Sequence, residues 1–181
     1  MIKESNLVGS LILNEKYEEL NYEIKNIIYY VEKFQVLGFY LGEISSEKLI
    51  KILPYTKMKN ITDRGIIINS IDDMVNIDEI SEMEYKLNDY KPIIGYEIYS
   101  NNNEIIGVVK DVLIQIKSGK ILGFIMSEGI INDLVNGYSF LPISEDISFD
   151  EYKILLKEEI KLKIIPQQGG LKKILGIDKE K

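Results

Sequence analysis

The sequence predicts a mainly β protein built as two small six-stranded β-barrels in tandem, joined by a helix and followed by a short C-terminal helix. Three observations lead there. An internal repeat recurs at a nearly constant offset. The second half alternates apolar and polar residues with a period of two between turn-forming clusters. A chain of 181 residues with 45% hydrophobic and 28% charged residues can also bury two small cores and stay dissolved.

The repeat is visible as short matched strings. Ile94-Gly95 answers Val8-Gly9, Leu122-Gly123-Phe124 answers Leu37-Gly38-Phe39, and Leu141-Pro142 answers Leu53-Pro54, at offsets of 86, 85 and 88 residues. Ile154-Leu155-Leu156 follows Ile66-Ile67-Ile68 at an offset of 88. These pairs divide the chain into a first barrel over 1–75, a helical linker over 76–91, a second barrel over 92–162 and a tail over 163–181.

The second copy carries the plainer strand pattern. Gly95 to Tyr99 and Glu104 to Gly107 flank the turn formers Ser100-Asn101-Asn102-Asn103, which predicts a hairpin. Val108 to Ile116 alternates around Val112, Ile114 and Ile116, and Lys117-Ser118-Gly119-Lys120 turns it into Ile121 to Met126. Ile130 to Gly137 is too short to assign. Tyr138 to Ile143 and Tyr152 to Leu156 complete the set of strands. In the first copy Glu32-Lys33 stands where the second has Ser118-Gly119, so it reads as the degenerate partner.

Between the copies, Ile77, Ile80, Met83 and Leu87 recur at helical spacing. Asp78, Glu79 and Glu82 suit the positive end of that helix. After Gln167-Gln168-Gly169-Gly170, the segment Leu171-Lys172-Lys173-Ile174-Leu175 reads as a basic amphipathic turn. It could pack on a barrel, meet a partner, or touch an anionic membrane surface. Gly95, Gly107, Gly119 and Gly123 read as strand-end positions needing positive φ or close strand approach. Asp111 and Pro142 complete this set of architectural positions.

Composition removes many chemistries. With no Cys there is no disulfide and no thiolate, and with no His the usual neutral-pH base and the commonest metal ligand are missing. The formal charge of −7 disfavours nucleic acid, whose affinity rests on basic contacts. No apolar run reaches the roughly 18 residues of a membrane span, and Met1 to Asn6 lacks a secretory pattern, so the expected location is cytoplasmic.

Weak catalytic and metal signals have plainer readings. Ser45-Ser46-Glu47-Lys48 matches S-x-x-K without its companion motifs, and a helix cap explains the serines better. Asp146, Ser148 and Asp150 alternate like calcium ligands, but Glu151 occupies the place of the required Gly, and a hairpin turn is the better reading because the same region of the first copy holds Thr62-Asp63-Arg64-Gly65. Asp72-Asp73 and Glu158-Glu159 read as solvated acids, and Gly169-Gly170 lacks a phosphate-loop motif. No catalytic residue, cofactor or metal site is expected.

The series Ile94-Gly95, Glu104-Ile105-Ile106-Gly107, Lys110-Asp111-Val112-Leu113-Ile114, Ser118-Gly119-Lys120-Ile121, Gly123-Phe124 and Leu141-Pro142-Ile143 resembles a PRC-barrel domain. This barrel is known from the photosynthetic reaction centre H subunit and the C-terminal part of the ribosome maturation factor RimM. A pair of such barrels with a short tail is similar to stand-alone PRC-barrel proteins of spore-forming Firmicutes, and the Ile, Lys and Asn bias suits an AT-rich genome. The resemblance implies a non-enzymatic docking module, an adaptor that offers strand edges or a shared cleft to a protein partner. A ribosome-associated or RNA-processing factor is the alternative, and a carboxylate-dependent hydrolase comes third. Partner and oligomeric state stay open at this level.

Overall fold

The computed structural model describes residues 1–44, 49–76, 92–157 and 164–166. The chain is mainly β, with a sheet curled as a half-barrel. It divides into two compact units, Met1–Pro92 with Gln115–Lys120 and Ile93–Ile114 with Ile121–Lys181.

In the first unit a two-residue strand, β1 (Ile2–Lys3), precedes β2 (Leu11–Leu13), β3 (Glu19–Tyr30) and β4 (Gln35–Glu43). β5 (Leu49–Pro54), β6 (Met58–Ile61), β7 (Gly65–Ile68) and β8 (Val75–Asn76) follow. The sheet order is β6-β7-β2-β3-β4-β5-β8, antiparallel except for the parallel pair β2–β7. Its core holds Leu7, Ile12, Leu13, Ile24, Ile27, Phe39, Leu41, Leu53, Ile66 and Ile68, all fully buried. β7 explains why Gly65-Ile66-Ile67-Ile68 is a continuous apolar run. It lies between β2 and β6, and all four residues are buried.

The second unit has β9 (Glu97–Tyr99), β10 (Ile105–Ile114), β11 (Ile121–Ser127), a helix α1 (Ile130–Asn136) and β12 (Ser139–Pro142). β13 (Ile147–Asp150), β14 (Lys153–Leu156) and β15 (Ile165–Pro166) close the series. Here the order is β13-β14-β9-β10-β11-β12-β15, and β14–β9 is the parallel pair. Ile93, Ile98, Val109, Val112, Ile114, Phe124, Leu141 and Ile154 form its buried interior. Phe149 packs edge-on between Phe124 and Tyr96, with ring centroids 6.1 and 6.4 Å away.

The two orders match strand for strand, and so do the irregularities. Gly9 N donates to the Ile24 carbonyl at 2.7 Å, and Gly95 N to the Val109 carbonyl at 2.9 Å. Both glycines have positive φ, 84° and 95°. The β3–β4 register shifts between Ile24 and Asn26 and again between Ile28 and Tyr29; the β10–β11 register shifts between Val109 and Asp111 and between Leu113 and Ile114. Each shift inserts one residue and bends the strand. Such bends let a short sheet curl around its own core.

Several expectations change in detail. Each sheet path runs through seven strands rather than six. Glu104 to Gly107 and Val108 to Ile116 are not two strands: Ile105–Ile114 is one, because Gly107 stays extended inside it. A Cβ on Gly107 would meet the Met126 methyl and lie 2.7 Å from the Ser127 carbonyl, so the glycine serves close approach to β11 and not a turn. Asp146 to Asp150, expected as a turn, is largely strand: Ser148 and Asp150 lie on the exposed side of β13, and the turn falls at Glu151, which has φ 48°. Asn76 ends β8, while the rest of the expected linker helix, 77–91, lies outside the described residues, as does the expected helix at 171–177.

Glycines at equivalent places set how close the strands come. A Cβ on Gly38 would stand 2.5 Å from the Leu53 carbonyl oxygen, and one on Gly123 would collide with the Leu141 carbonyl and the Phe140 ring. Gly38 pairs with Pro54, and Gly123 with Pro142. In both cases the obstruction is backbone, which cannot rotate away. We therefore expect Gly38→Ala and Gly123→Ala each to destabilise the chain by ~1–3 kcal/mol, the usual cost of overpacking. Urea unfolding followed by circular dichroism checks this, and an unchanged midpoint for both variants would contradict the backbone contact.

Candidate functional site

The residues singled out in the sequence are distributed through the sheet and do not converge on one place. Gly95 enters β9, Gly107 and Gly123 lie within β10 and β11, and Pro142 ends β12. Gly119 has φ 70° in the turn Gln115–Lys120, where its N–H donates to the Gln115 carbonyl at 2.8 Å. Asp111 is only 7% exposed, and its Oδ1 accepts from Val112 N at 2.9 Å beside the bulge. That carboxylate stabilises a distorted stretch of backbone. Leu171, Lys172, Lys173, Ile174 and Leu175 lie outside the described residues.

The acidic pair at Asp72-Asp73 is occupied by its own turn. Ser70 Oγ donates to Asp72 Oδ2 at 3.2 Å, and Asp73 Oδ2 accepts from Ser70 N at 3.0 Å in a capping box. The Ser70 amide, and then Lys57 at 3.2 Å, hold the Asp73 carboxyl below the usual carboxylate range. Among the described residues, no three acidic side chains gather as metal ligands would. Residues 45–48, which include the S-x-x-K string, lie outside the described residues.

One feature of the second unit has no counterpart among the described residues of the first. Between β4 and β5 the connection is residues 44–48, whereas between β11 and β12 it is residues 128–138, six residues longer. The extra length forms α1, bracketed by Gly129 with φ 110° and Gly137 with φ 74°. Glycines at both ends let the chain leave and rejoin the sheet through backbone conformations closed to other residues.

Asp133 ties this helix to the sheet. Its Oδ2 accepts from Ser127 Oγ and its Oδ1 from Glu128 N at 3.1 Å, while Asp133 N donates to the Gly129 carbonyl at 2.9 Å. Asn132 Nδ2 adds a bond to Glu128 Oε2 at 3.0 Å. The polar side chains thus face the anchor. The apolar ones do not: Ile130, Ile131 and Leu134 are 80%, 81% and 82% exposed, more than any other large hydrophobic among the described residues. Spacings of three and four residues put them on one face.

Isolated apolar residues on a surface are ordinary, whereas these three form one exposed apolar patch on a single turn of an inserted helix. Covering each fully would contribute ~1.5–3 kcal/mol. The stretch of chain that carries the helix, residues 121–152, contains six Asp and Glu and no Lys or Arg. The sequence held the signal as Ile130-Ile131 and Leu134 between two glycines, too short a run to separate from a strand by periodicity alone.

A mainly β unit with glycine-cradled, bulged strands and an inserted helix is a small barrel-type module. The comparison with known families gives its class: the PRC-barrel domain model matches residues 87–161, which include α1, and that segment is a PRC-barrel domain. No curated protein matches the chain.

Removing the anchor tests this site. In Asp133→Ala the helix loses two hydrogen bonds to residues 127 and 128, each contributing about 1 kcal/mol. Amide exchange at positions 133 and 137 should accelerate roughly thirtyfold while the global unfolding midpoint moves much less. Unaltered exchange would show that α1 is held by something else.

Proposed function

We propose that the chain is a non-enzymatic protein-interaction module carrying two PRC-type barrels in tandem, and that the apolar face of α1 is its docking surface. The exposed triad Ile130, Ile131 and Leu134, set on an insertion that the shared sheet plan does not use, carries the reading. The matched family supports the module class. The common strand order, bulges and positive-φ glycines of the two units support the tandem duplication.

The expected partner is a protein with an apolar contact ringed by Lys or Arg. The apolar part would cover the triad, and the basic rim suits a helix carried on an acidic stretch of the chain. Docking of this kind is modest in area, so salt should weaken it by screening the rim while leaving the apolar contact. A cytoplasmic setting belongs to the same proposal.

The experiment is capture of partners from the native host by the full chain, with Ile131→Asp/Leu134→Asp as the paired bait. Both changes sit on exposed positions and should leave the circular dichroism spectrum unaltered. A protein held by the parent chain and depleted at least tenfold on the variant is expected. Equal recovery on both baits would remove α1 from the account.

A further inference from the structure

Three residues of the first unit converge on a turn that the chain supplies from far downstream. Residues Gln115–Lys120 belong to that unit. At the start of β4, Val36 N donates to the Gly119 carbonyl at 2.8 Å, and Gln35 Nε2 donates to the Ser118 carbonyl. Tyr55, which follows β5, donates its hydroxyl to the Ile116 carbonyl at 2.5 Å. Gln35 and Lys120 also pair as an isolated antiparallel bridge.

All three bonds end on main-chain oxygens, so this place reads the path of the turn and not its side chains. Gln115, Lys117 and Lys120 are exposed, whereas Gly119 is buried. A Cβ on Gly119 would stand 2.8 Å from Gln35 Nε2 and 3.0 Å from the Tyr55 ring, and its φ of 70° is a conformation that side chains disfavour. The turn is closed by its own bonds: Gln115 N donates to the Lys120 carbonyl and Gly119 N to the Gln115 carbonyl, both at 2.8 Å. The receiving side is fixed as well. Tyr55 is buried with its ring 5.7 Å from that of Phe39, and burial pushes its hydroxyl above the ordinary tyrosine range, which keeps it a donor.

We propose that Gln35, Val36 and Tyr55 form a receptor site for a glycine-bearing peptide turn, and that Gln115–Lys120 fills it in the same molecule. The ligand class is a tight turn that offers a run of carbonyl oxygens and has no side chain at its left-handed position. Because the site is preformed and the resident turn is tethered, that turn holds the site at high effective concentration against a free one. A turn from another protein enters only once the resident turn has left. The site is separate from α1 and does not rest on the docking reading given there.

The test uses the full chain with Gly119→Val, which expels the resident turn, and a synthetic peptide carrying Gln-Ile-Lys-Ser-Gly-Lys between two disulfide-linked cysteines. The Val36 amide resonance should move when this peptide is titrated into the variant. It should stay in place in the parent chain, and also in the variant when the glycine of the peptide is replaced by valine. No movement in the variant, or equal movement in variant and parent, would overturn the site. Tyr55→Phe gives a second measurement that does not depend on the folding of the first variant. It deletes one bond to the turn, so amide exchange at Val36 should rise about fivefold. Exchange at Ile24, whose amide donates to the Ser10 carbonyl in the same unit, should stay unchanged. No acceleration at Val36, or equal acceleration at both amides, would contradict a turn held by these three residues.

Discussion

Everything in these two units depends on how closely one strand can cross its neighbour without a side chain in the way. At Gly38 and Gly123 the space a Cβ would need is taken by the carbonyl of the next strand, at Leu53 and Leu141. The following residue in each case, Phe39 or Phe124, is fully buried and is paired with that same Leu. Close backbone approach on one residue and a large ring on the next pull the sheet inward at that point. The bulges at Asn26 and Asp111 bend the partner strand in the same region. A flat sheet of such short strands would leave one face uncovered, whereas a curled one encloses a core from few residues.

Much of this plan was legible in the sequence, because strings such as Leu-Gly-Phe and Leu-Pro are tied to a geometry that few residues satisfy. What escaped was structure that does not depend on residue type in an obvious way. Gly107 reads as a strand-end position needing positive φ or close strand approach; close contact with β11 is what excludes a side chain there, and the glycine lies inside β10 rather than at its end. In the first unit the left-handed positions are filled by Tyr17 and Phe34, with φ of 64° and 49°, where the second unit uses Asn103 and Gly119. Turn hydrogen bonds from Tyr17 N to the Asn14 carbonyl and from Phe34 N to the Val31 carbonyl accompany these conformations, and no composition rule announces them. β13 was hidden for another reason: its outward Ser148 and Asp150 resemble a ligand run, while the inward Ile147 and Phe149 carry the period of two.

The candidate site is where the two units part company. The sheet needs a connection of only five residues between its fourth and fifth strands, as 44–48 shows, yet the second unit uses residues 128–138 and exposes three large apolar side chains on them. Such a helix adds little to the core. Its polar residues, Asn132 and Asp133, are engaged with the sheet end at Ser127 and Glu128, so the apolar face is turned outward by the same bonds that hold the helix in place. The curled sheet supplies a rigid support, and the insertion carries the exposed apolar face.

The central claim is that a single hydrogen-bonded sheet plan underlies both units, with α1 as the departure. Scalar couplings across hydrogen bonds, measured by NMR on the isotope-labelled full chain, report that plan bond by bond. A shared plan gives couplings from Gly9 N to the Ile24 carbonyl and from Gly95 N to the Val109 carbonyl, in the same spectrum. A coupling at Gly95 with none at Gly9, or a different acceptor for Gly9, would contradict it.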